Sequence, residues 1–320
     1  MTRSASGDEQ AAEDSLGLRF NIFARRRVLH TQRYWLRARA RLERDALPPH
    51  KPVFIIGSPR SGTTLLFRLM RRHEAFWAPR GEGHVLWNAY QHPRHKGWTS
   101  DRVTKEDIKE SEPHFLYSAI EKMTDGARFL DKTPRNALKL PYLMSLFPDA
   151  SIILLRRSGL DTVSSLIEGW TVRHGVSYRL PEKLELNEYE GRLWSYVLPP
   201  GWQERKRTTF ADIAALQYTT SYEIAIADLQ TLEPPSYIEI QFEELLRAPA
   251  AVLTDAFDRL GLGMTEPVLE MARNLGAHPV QTNTPPRAEK WRDREDEIMR
   301  ILPQISPVMK RLGYSTDVKA

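Results

Sequence analysis

The chain has 320 residues, 41% of them hydrophobic and 27% charged, with a formal net charge of +5 and no cysteine. That length suits one large α/β domain, and the missing thiols exclude disulfides, thiolate metal sites and cysteine nucleophiles. The positive balance favours an anionic partner without choosing its kind, and no apolar run approaches the roughly 18 residues of a membrane span.

Residues 1–19 are polar and low in apolar content, which reads as a disordered leader. They lack the basic-then-apolar order of a signal peptide, so the expected compartment is the cytoplasm. Residues 20–50 then turn basic: eight arginines between Arg25 and Arg44 surround Val28, Trp35, Leu36 and Leu42, the composition of a helix that ends before Pro48. Such a helix packs its apolar stripe on its own domain or lies on an anionic membrane, so peripheral membrane contact through residues 20–47 is one expectation. Nucleic acid is not expected, because no base-stacking platform accompanies the arginines.

The main domain is expected over residues 51–315. Pro52 to Ile56 is a short apolar run that stops at Gly57, and Thr64 to Met70 continues with helical character: strand, loop, helix. The amides of such a turn, at a helix N-terminus, make an anion site without any side chain. Gly57-x-x-x-x-Gly62 has the spacing of the nucleotide P-loop, but Thr63 stands where an NTPase carries Lys, and the positive charge sits inside the loop as Arg60. The bland alternative is a tight turn with a surface arginine.

Pro59-Arg60-Ser61-Gly62-Thr63-Thr64 resembles the 5′-phosphosulfate loop of sulfotransferases that use 3′-phosphoadenosine 5′-phosphosulfate (PAPS). The resemblance implies that Arg60, Ser61, Gly62, Thr63 and Thr64 hold the donor's phosphosulfate. Further on, Pro79, Gly81 and Gly83 argue for an irregular segment that returns over the sheet edge. Its Glu82-x-His84 pattern is similar to that of carbohydrate- and tyrosylprotein-type sulfotransferases, which makes Glu82 the expected general base and His84 the second choice. A Glu82 that forms a salt bridge with a nearby arginine and does no chemistry is the alternative. His84, His92 and His95 fit no metal-ligand spacing, so no metal is expected.

Thr104-Lys-Glu-Asp107 has the form of a capping box for a helix through about Met123. Arg128-Phe129-Leu130 reads as a strand that delivers Asp131-Lys132-Thr133-Pro134 to the carboxyl edge of the sheet, where open α/β folds bind ligands. By resemblance Lys132 acts on the sulfuryl group or bridging oxygen; a structural Lys132 paired with Asp131 is the other reading. Ser151 to Leu155 is a strand buried on both faces, followed by Arg156, Arg157 and a helix from about Ser158. Arg157 with Ser165, eight residues on, resembles the family's 3′-phosphate motif, and the chemistry fits: a planar charged fork and a hydroxyl donor.

Residues 170–209, with Trp170, Tyr178, Trp194, Tyr196 and Trp202 and little periodicity, read as a long irregular acceptor-side insertion: a lid, or a satellite core under a loop. Phe210 to Leu232 reads as a helix, Tyr237 to Phe242 as a strand, and Pro249 starts a helix to Leu260. Phe242 stands where relatives often carry a nucleotide-contacting Tyr, so that hydroxyl contact is not expected. Thr284 to Arg292 resembles the family's late basic loop, making Arg287 and Lys290 candidate phosphate contacts, and the last helix, Asp293 to Leu312, is expected on the outside.

The expected architecture is a single α/β domain, a P-loop-like parallel sheet with helices on both faces, preceded by a basic N-terminal helix. The expected function is sulfuryl transfer from PAPS to a hydroxyl or amine of an unidentified small-molecule, lipid or glycan acceptor. A P-loop ATP-dependent phosphotransferase and a non-catalytic nucleotide-binding protein are the competing classes.

Overall fold

A computed structural model of the chain describes residues 46–232, 237–275 and 289–317. The leader and almost all of the expected basic helix lie outside them, and residues 46–50 carry no helix. The strands are β1 (Val53–Ile56), β2 (Phe76–Trp77), β3 (Arg128–Lys132), β4 (Ser151–Arg156), β5 (Val176–Leu186), β6 (Tyr189–Ser195) and β7 (Tyr237–Gln241). The first four and β7 form a parallel sheet in the order β2-β3-β1-β4-β7. β1 is therefore central, with β3 on one side and β4 on the other: the crevice beyond its carboxyl end is the switch point at which open α/β sheets place ligands.

The helices are α1 (Thr63–Met70), α2 (His84–Tyr90), α3 (Glu112–Thr124), α4 (Leu140–Leu146), α5 (Gly159–Thr171), α6 (Phe210–Leu229), α7 (Phe242–Arg247), α8 (Pro249–Arg259), α9 (Glu266–Arg273) and α10 (Glu295–Arg311). They cover both faces of the sheet. Phe54, Ile56, Ile152 and Leu154 join one apolar cluster with α2 to α6 and α10; Val53, Ile55, Ile153 and Leu155 join the other with α1, α8 and α9. Alternate residues of one strand thus serve opposite cores, which is why β1 and β4 read as unbroken apolar runs.

Several expectations need correction. The Thr104–Asp107 capping box is present, with the Thr104 amide 2.9 Å from Asp107 Oδ2, but it caps only one 3-10 turn. The helix begins at Glu112, because Pro113 is tolerated only in a first turn. β3 runs on through Asp131 and Lys132, and β7 stops at Gln241, leaving Phe242 to open α7. α10 is not merely external: Ile298, Ile301, Ile305, Val308 and Met309 are buried in the larger core.

Residues 170–209 are also more ordered than their sequence implies. β5 and β6 pair antiparallel, with register shifts between Val176 and Tyr178 and between Arg179 and Leu184 that erase a clean period of two. Trp194 packs edge-on against Trp170 and Trp202 at 5.2 and 5.3 Å between ring centres. Gln217 on α6 ties the hairpin down: its Nε2 donates to Ser195 O and Val197 O at 2.8 and 2.7 Å. Among the described residues no helix is long and apolar enough to cross a membrane.

Candidate active site

The loop after β1 is closed by the Ser61 amide, which donates to Ser58 O at 3.2 Å. That amide is therefore spent on the turn rather than offered to a ligand. Thr63 and Thr64 open α1, and like all first-turn amides theirs have no intrahelical acceptor, so these N–H groups remain for an anion. Gly62 caps the helix at φ +99°, and a Cβ there would collide with the Phe242 ring, so both conformation and space demand glycine.

β3 brings Lys132 to the same edge, one strand from the loop: Ile55 pairs with Lys132 in the register. Asp131, beside it, points into the protein and accepts from the Gly83 amide, Trp87 Nε1, Thr133 Oγ1 and Asn136 Nδ2, all at 2.9–3.0 Å. Gly83 has no room for a side chain, since a Cβ would stand 2.6 Å from Asp131 Oδ1. This clamp fixes the residues on either side of Gly83. Glu82 Oε1 accepts from Lys132 Nζ at 2.7 Å, and Glu82 Oε2 is paired with His84 Nε2. Lys132 is therefore partnered with Glu82, and the expected alternative pairing with Asp131 does not occur.

The electrostatics of this chain follow from its neighbours. Burial pushes the Glu82 carboxyl up, but His84 and Lys132 outweigh it and hold it well below the usual carboxylate range. Burial and the nearby Arg135 cation lower His84 to about 4 despite the Glu82 charge, so its ring is neutral at pH 7. Arg135 is itself enclosed: it donates to the Tyr178 hydroxyl, which donates to Asp101 Oδ1, while Asp101 Oδ2 accepts from the Leu198 amide at 2.7 Å. Asp101 thereby fastens both strands of the β5–β6 hairpin at its open base, where Tyr178 pairs with Trp194.

On the other side of β1, Arg157 leaves β4 with its guanidinium 4.5 Å above the Phe242 ring and Nη1 3.1 Å from Arg60 O. Arg60 holds a left-handed backbone, φ +69°, and its Nε donates to Ser165 Oγ on α5 at 3.0 Å. The expected 5′ and 3′ anion residues are thus in one another's reach. Lys290, just before Trp291 packs into the core, is paired with Glu168 of α5 at 2.7 Å; Arg287 lies outside the described residues. Sequence reasoning named Asp131 only as a partner for Lys132 and gave no role to Asp101, Arg135 or His174. His174, three residues past α5, is lowered by burial and by Arg60, with Glu168 and Glu82 acting the other way; nothing in its local sequence marks it.

The family model of the sulfotransferase family matches residues 52–196. Nodulation protein NoeE of Sinorhizobium fredii is 32% identical over 154 residues, 44% of this chain and 36% of that protein. A putative protein-tyrosine sulfotransferase of Caenorhabditis briggsae is 30% identical over 129 residues, 36% of this chain and 42% of that one. The chain spans from 19% to 42% of the length of such curated relatives. Sulfotransferase STF9 from Mycobacterium avium has the same fold, with a TM-score of 0.57 at 14% identity over 84% of this chain and 78% of that one.

Proposed function

We propose that the chain is a sulfotransferase, whose family model matches residues 52–196, and that it moves a sulfuryl group from PAPS to a hydroxyl of a small-molecule, lipid or glycan acceptor, an amine being the variant chemistry. The observation that carries this reading is the Lys132–Glu82–His84 chain at the sheet edge, one strand from the Arg60 loop.

In the proposed reaction the acceptor oxygen bonds to sulfur, the bond from sulfur to the bridging phosphate oxygen breaks, and 3′-phosphoadenosine 5′-phosphate leaves. Glu82 takes the acceptor proton. Arg60, Lys132 and the amides of Thr63 and Thr64 offset the charge that grows on the bridging oxygen and sulfuryl group. A carboxylate held this low is a weak base at rest. Transfer of the Lys132 hydrogen bond from Glu82 to the bridging oxygen removes one of the two contacts that hold it low and raises its basicity where the proton is released. His84, neutral, keeps the second carboxylate oxygen in place. Arg157 and Ser165 take the 3′-phosphate once Arg60 turns toward the sulfuryl group.

The test is thermal stabilisation by 3′-phosphoadenosine 5′-phosphate without metal against ATP with magnesium, in wild type and Arg157→Ala. A ligand at 100 times its dissociation constant adds about 2.7 kcal/mol, a clear melting shift. Stabilisation by the bisphosphate that is lost in the variant supports the reading; a response confined to ATP with magnesium replaces it with a phosphoryl-transfer enzyme.

A further inference from the structure

Tyr196 directly follows β6 and holds a left-handed backbone, φ +63°, which a bulky side chain rarely adopts. Its amide donates to Gly175 O at 2.9 Å and closes the base of the hairpin. The ring lies against two glycines: a Cβ at Gly175 would stand 2.5 Å from Tyr196 Cε1, and one at Gly169 would overlap the hydroxyl. The residue is 8% exposed, and its enclosed hydroxyl meets no hydrogen-bond partner among the described residues. Stability alone would favour phenylalanine here, because a buried hydroxyl without a partner loses its water for nothing. Backbone strain and two glycines nevertheless hold that one oxygen in place.

Its surroundings say what it waits for. Gly169 is four residues after Ser165, on the same face of α5, and Glu168 beside it carries Lys290. Arg60, bonded to Ser165, is close enough for its charge to act on the phenol, as is Glu168. Burial pushes the phenol up to about 12, so the hydroxyl keeps its proton and serves as a donor. A neutral donor one helical turn from Ser165 and within the field of Arg60 suits an anionic oxygen.

We propose that the Tyr196 hydroxyl donates a hydrogen bond to an anionic oxygen of the bound co-substrate, either of the 3′-phosphate beside Ser165 or of the sulfuryl group beside Arg60. This rests on the sulfotransferase reading. Two steps test it on the full chain: the ligand-free melting temperature of Tyr196→Phe, then dissociation constants of wild type and variant for PAPS, 3′-phosphoadenosine 5′-phosphate and adenosine 5′-phosphosulfate. The ligand-free variant melts at or above wild type, since the lost hydroxyl bonds none of the described residues, while binding weakens about tenfold for the ligands that carry the group in question. Weakening for the two 3′-phosphorylated ligands alone assigns the 3′-phosphate; weakening for the two phosphosulfates alone assigns the sulfuryl group. Unchanged affinity for all three overturns the proposal, and so does a lower ligand-free melting temperature, which means the hydroxyl has a structural partner. Wild-type protein that binds none of the three overturns the sulfotransferase reading itself, a result distinct from failure of the tyrosine.

Discussion

Lys132 Nζ lies 2.7 Å from Glu82 Oε1 while the other oxygen of that carboxylate meets His84, so the expected base is held by both of its oxygens before any acceptor arrives. The arrangement keeps Glu82 ionised and ready to trade one partner for another.

Glu82→Gln keeps the shape of the side chain and removes its ability to take a proton. Turnover of any acceptor that wild type sulfates is expected to fall by about 10²- to 10⁴-fold. Affinity for 3′-phosphoadenosine 5′-phosphate, measured by titration, stays close to wild type. Unchanged turnover removes Glu82 from the chemistry.

His84 titrates near 6.5 unfolded and near 4 in the fold. Above pH 6.5 both states are neutral and the group is silent. As pH falls toward 4 the unfolded chain binds the proton first, so stability declines, by roughly 3 kcal/mol at the bottom of the window. Asp131, raised to about 6 by burial, acts with the opposite sign because the folded state binds its proton first. Denaturant titrations of wild type and His84→Gln across this range isolate the imidazole: their difference declines between 6.5 and 4. A flat difference means that His84 titrates normally.

Gly62→Ala puts a Cβ into the Phe242 ring at a backbone angle that disfavours any side chain. A loss of about 1–3 kcal/mol is expected in chemical denaturation, together with loss of co-substrate binding. Adding Phe242→Ala makes space but leaves the backbone strain, so recovery is partial. Full recovery would show that space was the whole problem.

Asp101→Ala leaves Arg135 enclosed without its carboxylate and frees the Leu198 amide. Removing one partner of a buried ion pair costs about 3–5 kcal/mol. Hydrogen exchange is expected to rise first in residues 176–198, the hairpin and its exit, ahead of the parallel sheet. Uniform loosening of the whole chain would mean that Asp101 supports the core rather than the hairpin.

The parallel sheet was legible because β1 and β4 serve two cores and so carry unbroken apolar runs, each ending in residues whose chemistry is plain: Gly57 to Thr64, and Arg157 with Ser165. β2 is two residues long and leaves no periodic trace. The hairpin was misread because its register shifts break the alternation of β5, although Tyr178 and Trp194 are core residues. The Asp101–Arg135–Tyr178 network joins residues that are tens of positions apart, and no local pattern announces it. The Tyr196 hydroxyl is recognisable only by what it fails to touch, which a sequence does not state.

Phe242 fills the space that a side chain at Gly62 would need, and its ring carries the Arg157 guanidinium on top. On the proposed reading, one incompressible plate therefore stands between the loop that takes one end of the co-substrate and the arginine that takes the other. It works as a gauge: a ligand whose two anionic groups are spaced to fit engages both ends at once, and one with any other spacing engages a single end and loses the gain of the second contact.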